Sequence, residues 1–576
     1  MTAEPLEIIL IGIGAVLLIA LASAVAPRLR LPAPVLLVVV GIVISLIPAV
    51  PLIQVDPEII LVGILPPLLY SSAISLPAIE FRRDLAPIAG LAVVLVVLSS
   101  AVLGVVFLHF IPVIGVFLAI ALGAILSPTD AVATSIVKRL GISRRVTTML
   151  DGESLLNDAT ALVLVTTMVA AFTNGHGSGD VIWIFVRGVL IALVVGGIVG
   201  WINLRLRAWV GAPAANTAIG FIVPFAAYVP TEQLGGSGLV AAVVAGLVTA
   251  QGAARRFTPE QRISDAANWR TIELMLEGAV FLIMGLEIES VLAALGQSES
   301  GILRAAALAG LALVLILLVR AIWVSILVWA QSSRARSRRR THLEQFGRRF
   351  HHAAEHSPEE LKKRMRGRSI ASVRARLARA FADLDYYRAS PIGWKHGTII
   401  VWAGMRGVVT LAAAQTLPRD APERPTLIFI AFLVAAGSLF FQSVTLPMVV
   451  RWLRIDDAAA GEFDHAEHER LRGELRQAAA DAISTRSLRA GDGEPFPPEL
   501  MSAVAPRFED PPETVDTEVE RQMLRLRLAL IEVQRARLLE LSSDGTFSSA
   551  TLRRSLDGLD ADQISIELRM SGTGED

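Results

Sequence analysis

The sequence predicts an all-α membrane protein with about 13 transmembrane helices and a helical cytoplasmic tail. Hydrophobic residues make up 53% of its 576 residues, whereas soluble proteins usually contain roughly 45–50%. Apolar segments recur through residues 1–330 and 392–454, while residues 331–391 and 455–576 are polar and charged. The net charge of zero therefore averages over unlike parts of the chain. Cysteine is absent, which excludes disulfides, thiolate metal sites and thiol nucleophiles.

Thirteen segments before residue 455 are predicted to cross the membrane, because a span needs about 20 mostly apolar residues for roughly 30 Å of hydrocarbon. The first segment follows Glu4 and Glu7 and lacks a preceding basic region, so it is interpreted as a retained span rather than a cleaved signal. The approximate limits of the thirteen are 6–26, 33–49, 57–77, 86–110, 113–137, 147–172, 181–204, 215–230, 236–252, 270–287, 303–330, 394–416 and 425–452.

The distribution of Lys and Arg predicts the orientation, because cytoplasmic loops are enriched in these residues. The loops after spans one, three, five, seven and nine carry basic residues, whereas the loops after spans two, four, six, eight and ten carry none. The Arg-rich insert at 334–368 falls on the basic side, and Arg419 and Arg424 are the exceptions. We therefore expect a multi-pass protein of the plasma membrane, the inner membrane of a bacterium, with its N-terminus outside and its C-terminus in the cytoplasm.

Two polar regions complete the predicted organisation, in which residues 1–454 form the membrane domain, with the loop at 331–391 inside it, and residues 455–576 form a helical cytoplasmic domain. The loop at 331–391 is basic with helical patches, and it either holds the cytoplasmic face against anionic lipid or has a regulatory role. In the tail, apolar residues recur at helical spacing over 464–487 and 514–543, on either side of a Pro-rich break. The tail contains no recognisable nucleotide-binding or catalytic motif.

The fifth span contains polar residues in the middle of an apolar helix. Ser127, Pro128, Thr129 and Asp130 follow one another directly. Pro128 removes one backbone donor and clashes with the preceding turn, so we expect the helix to break here. Interrupted helices at membrane depth are tolerated where they line a cavity or are buried in protein, and their free carbonyls can bind ions.

The sixth span carries three acidic residues and an amide. The spacing of four residues puts Glu153 and Asn157 on one helix face, and Ser154 and Asp158 on the neighbouring face. If the helix enters the membrane near Thr147, Asp158 lies about 16 Å deep at ~1.5 Å per residue, which is close to the midplane. Ionisable groups at this depth cost roughly 2.5–3.5 kcal/mol each, so they indicate function.

The twelfth span contains Arg406 between Gly404 and Gly407. A cation among apolar residues needs a buried carboxylate or free carbonyls as its partner, and Glu153 is the predicted partner. The two glycines would allow this helix to unwind or to pack closely against the broken fifth span.

These segments resemble the sodium/proton exchanger branch of the monovalent cation:proton antiporter superfamily. The resemblance covers most of residues 1–455 and implies two inverted six-span repeats, with the fifth and twelfth spans as a crossed, broken pair. It also implies a core domain that moves against a dimerisation domain, and hence a homodimer. The motifs that carry it are LPPLLY at 65–70, SPTDAVAT at 127–134, DGESLLNDAT at 151–160, FLIMGLEI at 281–288 and GMRGVVTLAA at 404–413.

The resemblance also implies a role for each motif residue. Asp158 would be the carboxylate that binds either the cation or the proton, and the adjacent Asn157 is typical of the electroneutral branch. Glu153 and Arg406 would form a structural ion pair that braces the site. Further oxygen ligands for the alkali cation, which prefers hard oxygen donors, would come from Thr129, Asp130 and Ser154.

Other positions have two interpretations each. Arg320, in the eleventh span, resembles a recurrent family arginine and is either a helix-packing charge or a site residue. Glu277 is either a proton-path residue or a contact on the dimer side. Ser127 either contributes to the site or joins two helices. After LPPLLY some relatives carry an acidic residue, whereas this chain has Ser71 and Ser72, which removes a possible ligand.

The expected function is exchange of Na⁺ for H⁺ by alternating access, with one cation moved for each proton. A K⁺/H⁺ antiporter is the alternative, and a cation channel is a further one, although no filter-like repeat is visible. An enzyme is not expected, because GxSxG and HExxH motifs are missing and the histidines lie chiefly in soluble segments. We expect no cofactor and no nucleic acid; the partners are the two ions, membrane lipid and a second copy of the chain.

Overall fold

The computed structural model describes residues 5–29, 31–48, 55–129, 132–174, 178–295, 299–335, 370–404, 406–455, 458–485, 488–489, 494–497, 499–500 and 517–572. Within these ranges the regular structure is helical, as the sequence predicts, without a β-strand. The chain divides into two compact units. The first comprises residues 1–253, 265–332 and 392–457, and the second comprises residues 254–264, 333–391 and 458–576.

The helices are numbered here in chain order. Helices α1 to α7 are Pro5–Leu29, Ala33–Ser45, Ile59–Ser75, Ala78–Arg83, Leu85–Phe110, Pro112–Ile125 and Val132–Arg139. Helices α8 to α14 are Arg144–Asn174, Ser178–Trp209, Pro213–Gln233, Gly238–Arg256, Pro259–Leu286, Ile288–Leu295 and Glu299–Ala335. Helices α15 to α21 are Ile370–Ala389, Trp394–Trp402, Val408–Gln415, Arg424–Leu453, Ala458–Ser484, Thr517–Asp544 and Ser549–Gly572.

Each of the thirteen predicted spans coincides with a helix or with a pair of half-helices. Eight helices in the described part are long and apolar enough to cross a membrane, and α2, α3 and α6 are shorter apolar helices. The fifth predicted span is divided into α6 and α7, and the twelfth into α16 and α17. The number of spans and the two inverted repeats remain predictions.

Burial separates the central helices of the first unit from the peripheral ones. In the most apolar 18-residue stretch of each helix, 61% of residues are buried in α8 and 72% in α18. The corresponding value is 17% in both α1 and α9. Leucine and isoleucine side chains on α1 and α9 are exposed, as is typical of helices that face lipid. The motif-bearing α8 therefore lies in the core of this unit, which is where a carrier's binding site is expected.

The second unit contains α15, α19, α20 and α21. Helix α20 has two apolar stripes, because Leu526 and Leu530 pack in the cluster that includes Ala479 of α19, whereas Leu524 packs with Ile566 of α21. The third tail helix, α21, was not predicted, since its apolar positions are interrupted by Asp and Gly residues. The predicted Pro-rich break lies partly in residues 501–516, and most of the predicted basic loop lies in 336–369, outside the described residues.

The second unit also includes the short connection between α11 and α12. Arg262 in the first turn of α12 makes a bidentate ion pair with Asp560 of α21, which is 1% exposed. Arg535 of α20 also donates to Asp560, at 3.1 Å. This buried carboxylate between two guanidinium groups joins residues almost 300 positions apart.

Candidate ion-exchange site

Two helix interruptions border the candidate site. Helix α6 ends at Ile125, and residues 126–129 are non-helical before α7 begins at Val132. The proline at position 128 lies in this interruption, as expected from its missing N–H and its clash with the preceding turn. Helix α16 ends at Trp402, and α17 begins at Val408 after the glycine-flanked Arg406. Both interruptions leave backbone carbonyls without their usual partners in a helix.

Helix α8 holds the first interruption through Thr129. The Thr129 N–H donates to Asn157 Oδ1 at 3.1 Å, and Asn157 Nδ2 donates to Thr129 Oγ1 at 2.7 Å. Ser154 Oγ donates to the carbonyl oxygen of Thr129 at 2.8 Å. Ser154 and Asn157 lie three residues apart on α8 and are therefore neighbours on the helix surface, so both can bind Thr129. Thr129, Ser154 and Asn157 thus come together in the structure.

Asp158 is 8% exposed and follows Asn157 directly. Its side chain lies one turn beyond Ser154 on the same face of α8. Its membership of an ion site is not tested by these contacts and remains a prediction. Asp130 lies outside the described residues, so its place in the site also remains a prediction.

The predicted ion pair between Glu153 and Arg406 is wrong, because Glu153 pairs with a different arginine. Glu153 makes a bidentate ion pair with Arg320 of α14: Arg320 Nη2 lies 2.8 Å from Glu153 Oε2, and Nη1 contacts Oε1. The two side chains are 2% and 1% exposed. Arg320 Nε also donates to the carbonyl of Ile400 at 2.9 Å, near the end of α16. Arg320 therefore links α8, α14 and the second interrupted helix.

Arg406 instead binds carbonyl groups at both helix interruptions. Its Nε donates to the carbonyl of Leu126 at 3.1 Å, and its Nη1 contacts the carbonyl of Gly404. The interruptions supply carbonyl acceptors for this guanidinium, which is the physical reason that it can be buried without pairing with Glu153. Gly404 is required for close packing, since a Cβ atom there would lie 2.7 Å from Arg320 Nε.

A cavity of about 10 Å³ lies between these groups, which is about the space that one water molecule needs. Ser127 accepts or donates a hydrogen bond with Ser99 of α5 at 2.8 Å, so this serine joins two helices and also faces the cavity. The polar side chains that line the cavity are Ser99, Ser127, Glu153, Asn157, Arg320 and Arg406. Ser99 was not among the predicted site residues, and it lies beside Ser100 in a mostly apolar span.

Other ionisable residues lie apart from this cavity. Glu277 is half-buried on α12 and is not among the residues that line the cavity. On the same helix, Glu273 Oε2 accepts a hydrogen bond from Ser71 Oγ at 3.4 Å. Lys138 of α7 pairs with Asp151 of α8 at 2.8 Å, and both groups are partly exposed. Glu273 was missed by sequence analysis, although a charged residue in a predicted span was an available signal.

Comparisons with known proteins agree with this architecture. The family model described as "Sodium/hydrogen exchanger, transmembrane" matches residues 14–354 and 366–452. An uncharacterised Na⁺/H⁺ exchanger of Escherichia coli K12 is 29% identical over 536 residues, which cover 88% of this chain and 89% of that protein. A sodium, potassium, lithium and rubidium/H⁺ antiporter of Bacillus pumilus is 27% identical over 466 residues, which cover 77% of this chain and 62% of that protein.

A solved structure shows the same fold. The sodium proton antiporter MjNhaP1 from Methanocaldococcus jannaschii matches with a TM-score of 0.53 and 17% sequence identity. The match covers 77% of this chain and 99% of that one. Because the family model also covers most of the chain, the protein belongs to the transmembrane sodium/hydrogen exchanger family and is a multi-pass membrane protein that exchanges cations for protons.

Proposed function

We propose that this protein exchanges one Na⁺ for one H⁺ at Asp158 by alternating access, as a homodimer in the plasma membrane. The observation that carries the proposal is the position of Asp158. It is a buried carboxylate on α8, next to the residues that hold the first helix interruption. The N-terminus lies outside and the C-terminus in the cytoplasm.

Competition for one negative charge provides the coupling. A carboxylate at membrane depth is costly while it is ionised, and it can be neutralised either by a proton or by a cation. When the protein changes state only with that charge neutralised, one ion crosses in each direction without any further device. The empty, ionised site is disfavoured during the change, which prevents uncoupled leakage.

The groups around Asp158 suit a small alkali cation. Ser154 Oγ and the Thr129 carbonyl both retain an acceptor lone pair beyond the bond that joins them. Asp130 is the remaining proposed ligand. Asn157 is engaged with Thr129 through both its amide atoms and supplies no second titrating group. Asp158 is then the one carboxylate proposed to exchange a proton for the cation, which favours an electroneutral cycle.

Proton movement in proteoliposomes tests the central residue. The wild type should move protons on addition of Na⁺, and Asp158→Asn should abolish this movement while the protein still inserts and forms dimers. Asp151→Asn is the matched control, since it removes a carboxylate two turns earlier on the same helix and should retain exchange. Exchange at the wild-type rate in Asp158→Asn would refute the proposal.

A scan of cations and of membrane voltage tests the finer claims. Proton movement with K⁺ but not Na⁺ would favour the alternative of a K⁺/H⁺ antiporter. The Bacillus pumilus relative is named as an antiporter of both ions, so each is tested separately. With K⁺ and valinomycin setting the voltage and Na⁺ as substrate, the Na⁺ gradient at zero net flux should equal the proton gradient. A membrane potential of 100 mV applies ~2.3 kcal/mol to each net charge moved, so any displacement would refute one-for-one exchange.

A further inference from the structure

A second buried carboxylate lies where α12 ends. Glu287 is 1% exposed. Its Oε1 accepts a hydrogen bond from the backbone N–H of Val55 at 3.2 Å, and its Oε2 contacts Nε2 of Gln415. Val55 precedes α3, and Gln415 is the last residue of α17. Glu287 therefore joins three elements that are far apart in the sequence, and the proposed exchange at Asp158 assigns it no role.

The contact is made at the far end of the half-helix α17. The near end of α17 follows Arg406, which binds the carbonyls at both interruptions. At the far end, Arg424 donates to the carbonyl of Gln415 at 2.8 Å and to that of Leu417 at 3.0 Å. A cation that binds the last carbonyls of a helix stabilises that end. The end of α17 is thus held by Arg424, and Glu287 contacts this end through the Gln415 side chain.

On its other side, Glu287 is fixed to a pair of tightly packed helices. Gly285 of α12 lies against Gly41 of α2, and their backbones touch. A Cβ atom at Gly285 would lie 2.3 Å from the carbonyl oxygen of Val38, and one at Gly41 would lie 2.6 Å from that of Leu282. Such backbone packing resists sliding. The polar contact between Glu287 and Gln415 is therefore an attachment of α17 to this pair that can open without disturbing the packed core.

We propose that Glu287 is a positioning residue for ion exchange, and that with Gln415 it forms a releasable latch on α17. The latch closes in the state seen here and opens in the other state of the cycle. This inference rests on the proposed function, since only a transporter with two states needs such a contact. The predicted orientation places Val55, Glu287 and Gln415 at the outer face of the membrane. Each lies in or beside a loop that is predicted to be outside the cell.

The absence of cysteine allows a test that does not depend on transport. A single Val55→Cys reports on the latch through its rate of labelling by a membrane-impermeant maleimide added outside. Gln415→Glu places two carboxylates together and should raise that rate about tenfold, since a hydrogen bond to a charged group is lost. The exchanged pair Glu287→Gln with Gln415→Glu restores one carboxylate and one amide, and should return the rate to its original value. Equal rates in all three proteins would refute the latch.

Cross-linking tests whether the latch must open during exchange. Glu287→Cys with Gln415→Cys is treated with a short bifunctional methanethiosulfonate, which can join Cβ atoms that lie farther apart than the ~4 Å of a disulfide. Cross-linking should abolish Na⁺/H⁺ exchange, and reduction should restore it. The control pair is Arg187→Cys with Leu234→Cys, two exposed residues whose native contact joins α9 to the loop after α10.

The outcomes separate the two proposals. If the cross-linked Glu287→Cys, Gln415→Cys protein exchanges ions as fast as the cross-linked control, the latch proposal is refuted and the proposed function is unaffected. Loss of exchange in the latch pair alone, reversed by reduction, would support it. Failure of the unmodified wild type to exchange any alkali cation for protons would refute the proposed function, while the labelling experiment would still decide whether Glu287 and Gln415 hold α17.

Discussion

Because Glu153 and Arg320 form an ion pair, substitutions at these two residues should have strongly non-additive effects on stability. Substitutions at Glu153 and Arg406 should not. The perturbations are Glu153→Leu and Arg320→Met, which remove one charge each while keeping an apolar side chain of similar length. In Arg320→Met, Glu153 keeps a long contact with Thr129 Oγ1 at 3.4 Å. In Glu153→Leu, Arg320 keeps its bond to the carbonyl of Ile400. Each single variant therefore leaves one buried charge without its ionic partner.

The magnitude follows from the burial of the pair. Both side chains are at most 2% exposed, and removing one partner of such a pair typically costs about 3–5 kcal/mol. The double variant has neither charge, so it should be less destabilised than the sum of the two single variants by about 2–3 kcal/mol. Arg406 contacts the Leu126 and Gly404 carbonyls rather than Glu153, so its coupling to Glu153 should stay below about 1 kcal/mol.

The free energy of unfolding can be measured by titration of detergent micelles with sodium dodecyl sulfate, followed by the fluorescence of the nine tryptophans. Arg145→Met is the matched control. Arg145 lies eight residues before Glu153 on α8, about 12 Å along the axis, and pairs with Asp84 at 3.0 Å. Its effect and that of Glu153→Leu should add within about 0.5 kcal/mol. A coupling of Glu153 to Arg406 as large as that to Arg320 would refute the assignment of partners.

Three further predictions concern Gly404, Asp560 and the C-terminal tail. Gly404→Ala should reduce both stability and exchange, because its Cβ would displace Arg320; thermal melts and Na⁺-driven proton movement equal to wild type would contradict this. Asp560→Asn should destabilise the second unit by about 3 kcal/mol, as it leaves Arg262 and Arg535 without their shared carboxylate; limited proteolysis of the tail measures the loss. Truncation after about residue 460 should leave exchange intact but alter its pH response, and complete inactivity of an inserted truncation would exclude this.

Helix content and the interruptions could be predicted from sequence because their causes are local. Apolar length determines whether a segment can form a span. Pro128, which has polar residues beside it, favours an interruption, whereas Pro224 and Pro447 lie inside continuous helices. The placement of Ser154 beside Asp158 on α8 could also be predicted, because it follows from their i, i+4 spacing. The third tail helix was missed because its apolar positions are stabilised by contacts with α20, and local periodicity contains no information about such a partner.

The partners of charged residues could not be predicted in the same way. Arg320 and Arg406 are both cations within predicted spans, and the sequence permits either to meet Glu153. The choice depends on how α14 packs against α8 and on which carbonyls the interruptions release. Glu287 was overlooked for a related reason: at the end of a predicted span a carboxylate can reach water, and its burial arises from Val55 and Gln415, which lie 232 and 128 residues away.

The polar contacts determine which helices can move together. Arg406 joins the carbonyl of Leu126 in the first interruption to that of Gly404 in the second. Arg320 joins the carbonyl of Ile400 to Glu153 on α8, which also holds Thr129 through Ser154 and Asn157. All of these bonds are buried, so separating the interrupted helices from α8 and α14 would expose or orphan several charges at once. These helices should therefore move as one body that carries Asp158 and the ligands proposed for it. A change of access to the site must then occur at the boundary of that body, where polar contacts such as the one between Glu287 and Gln415 can open at lower cost.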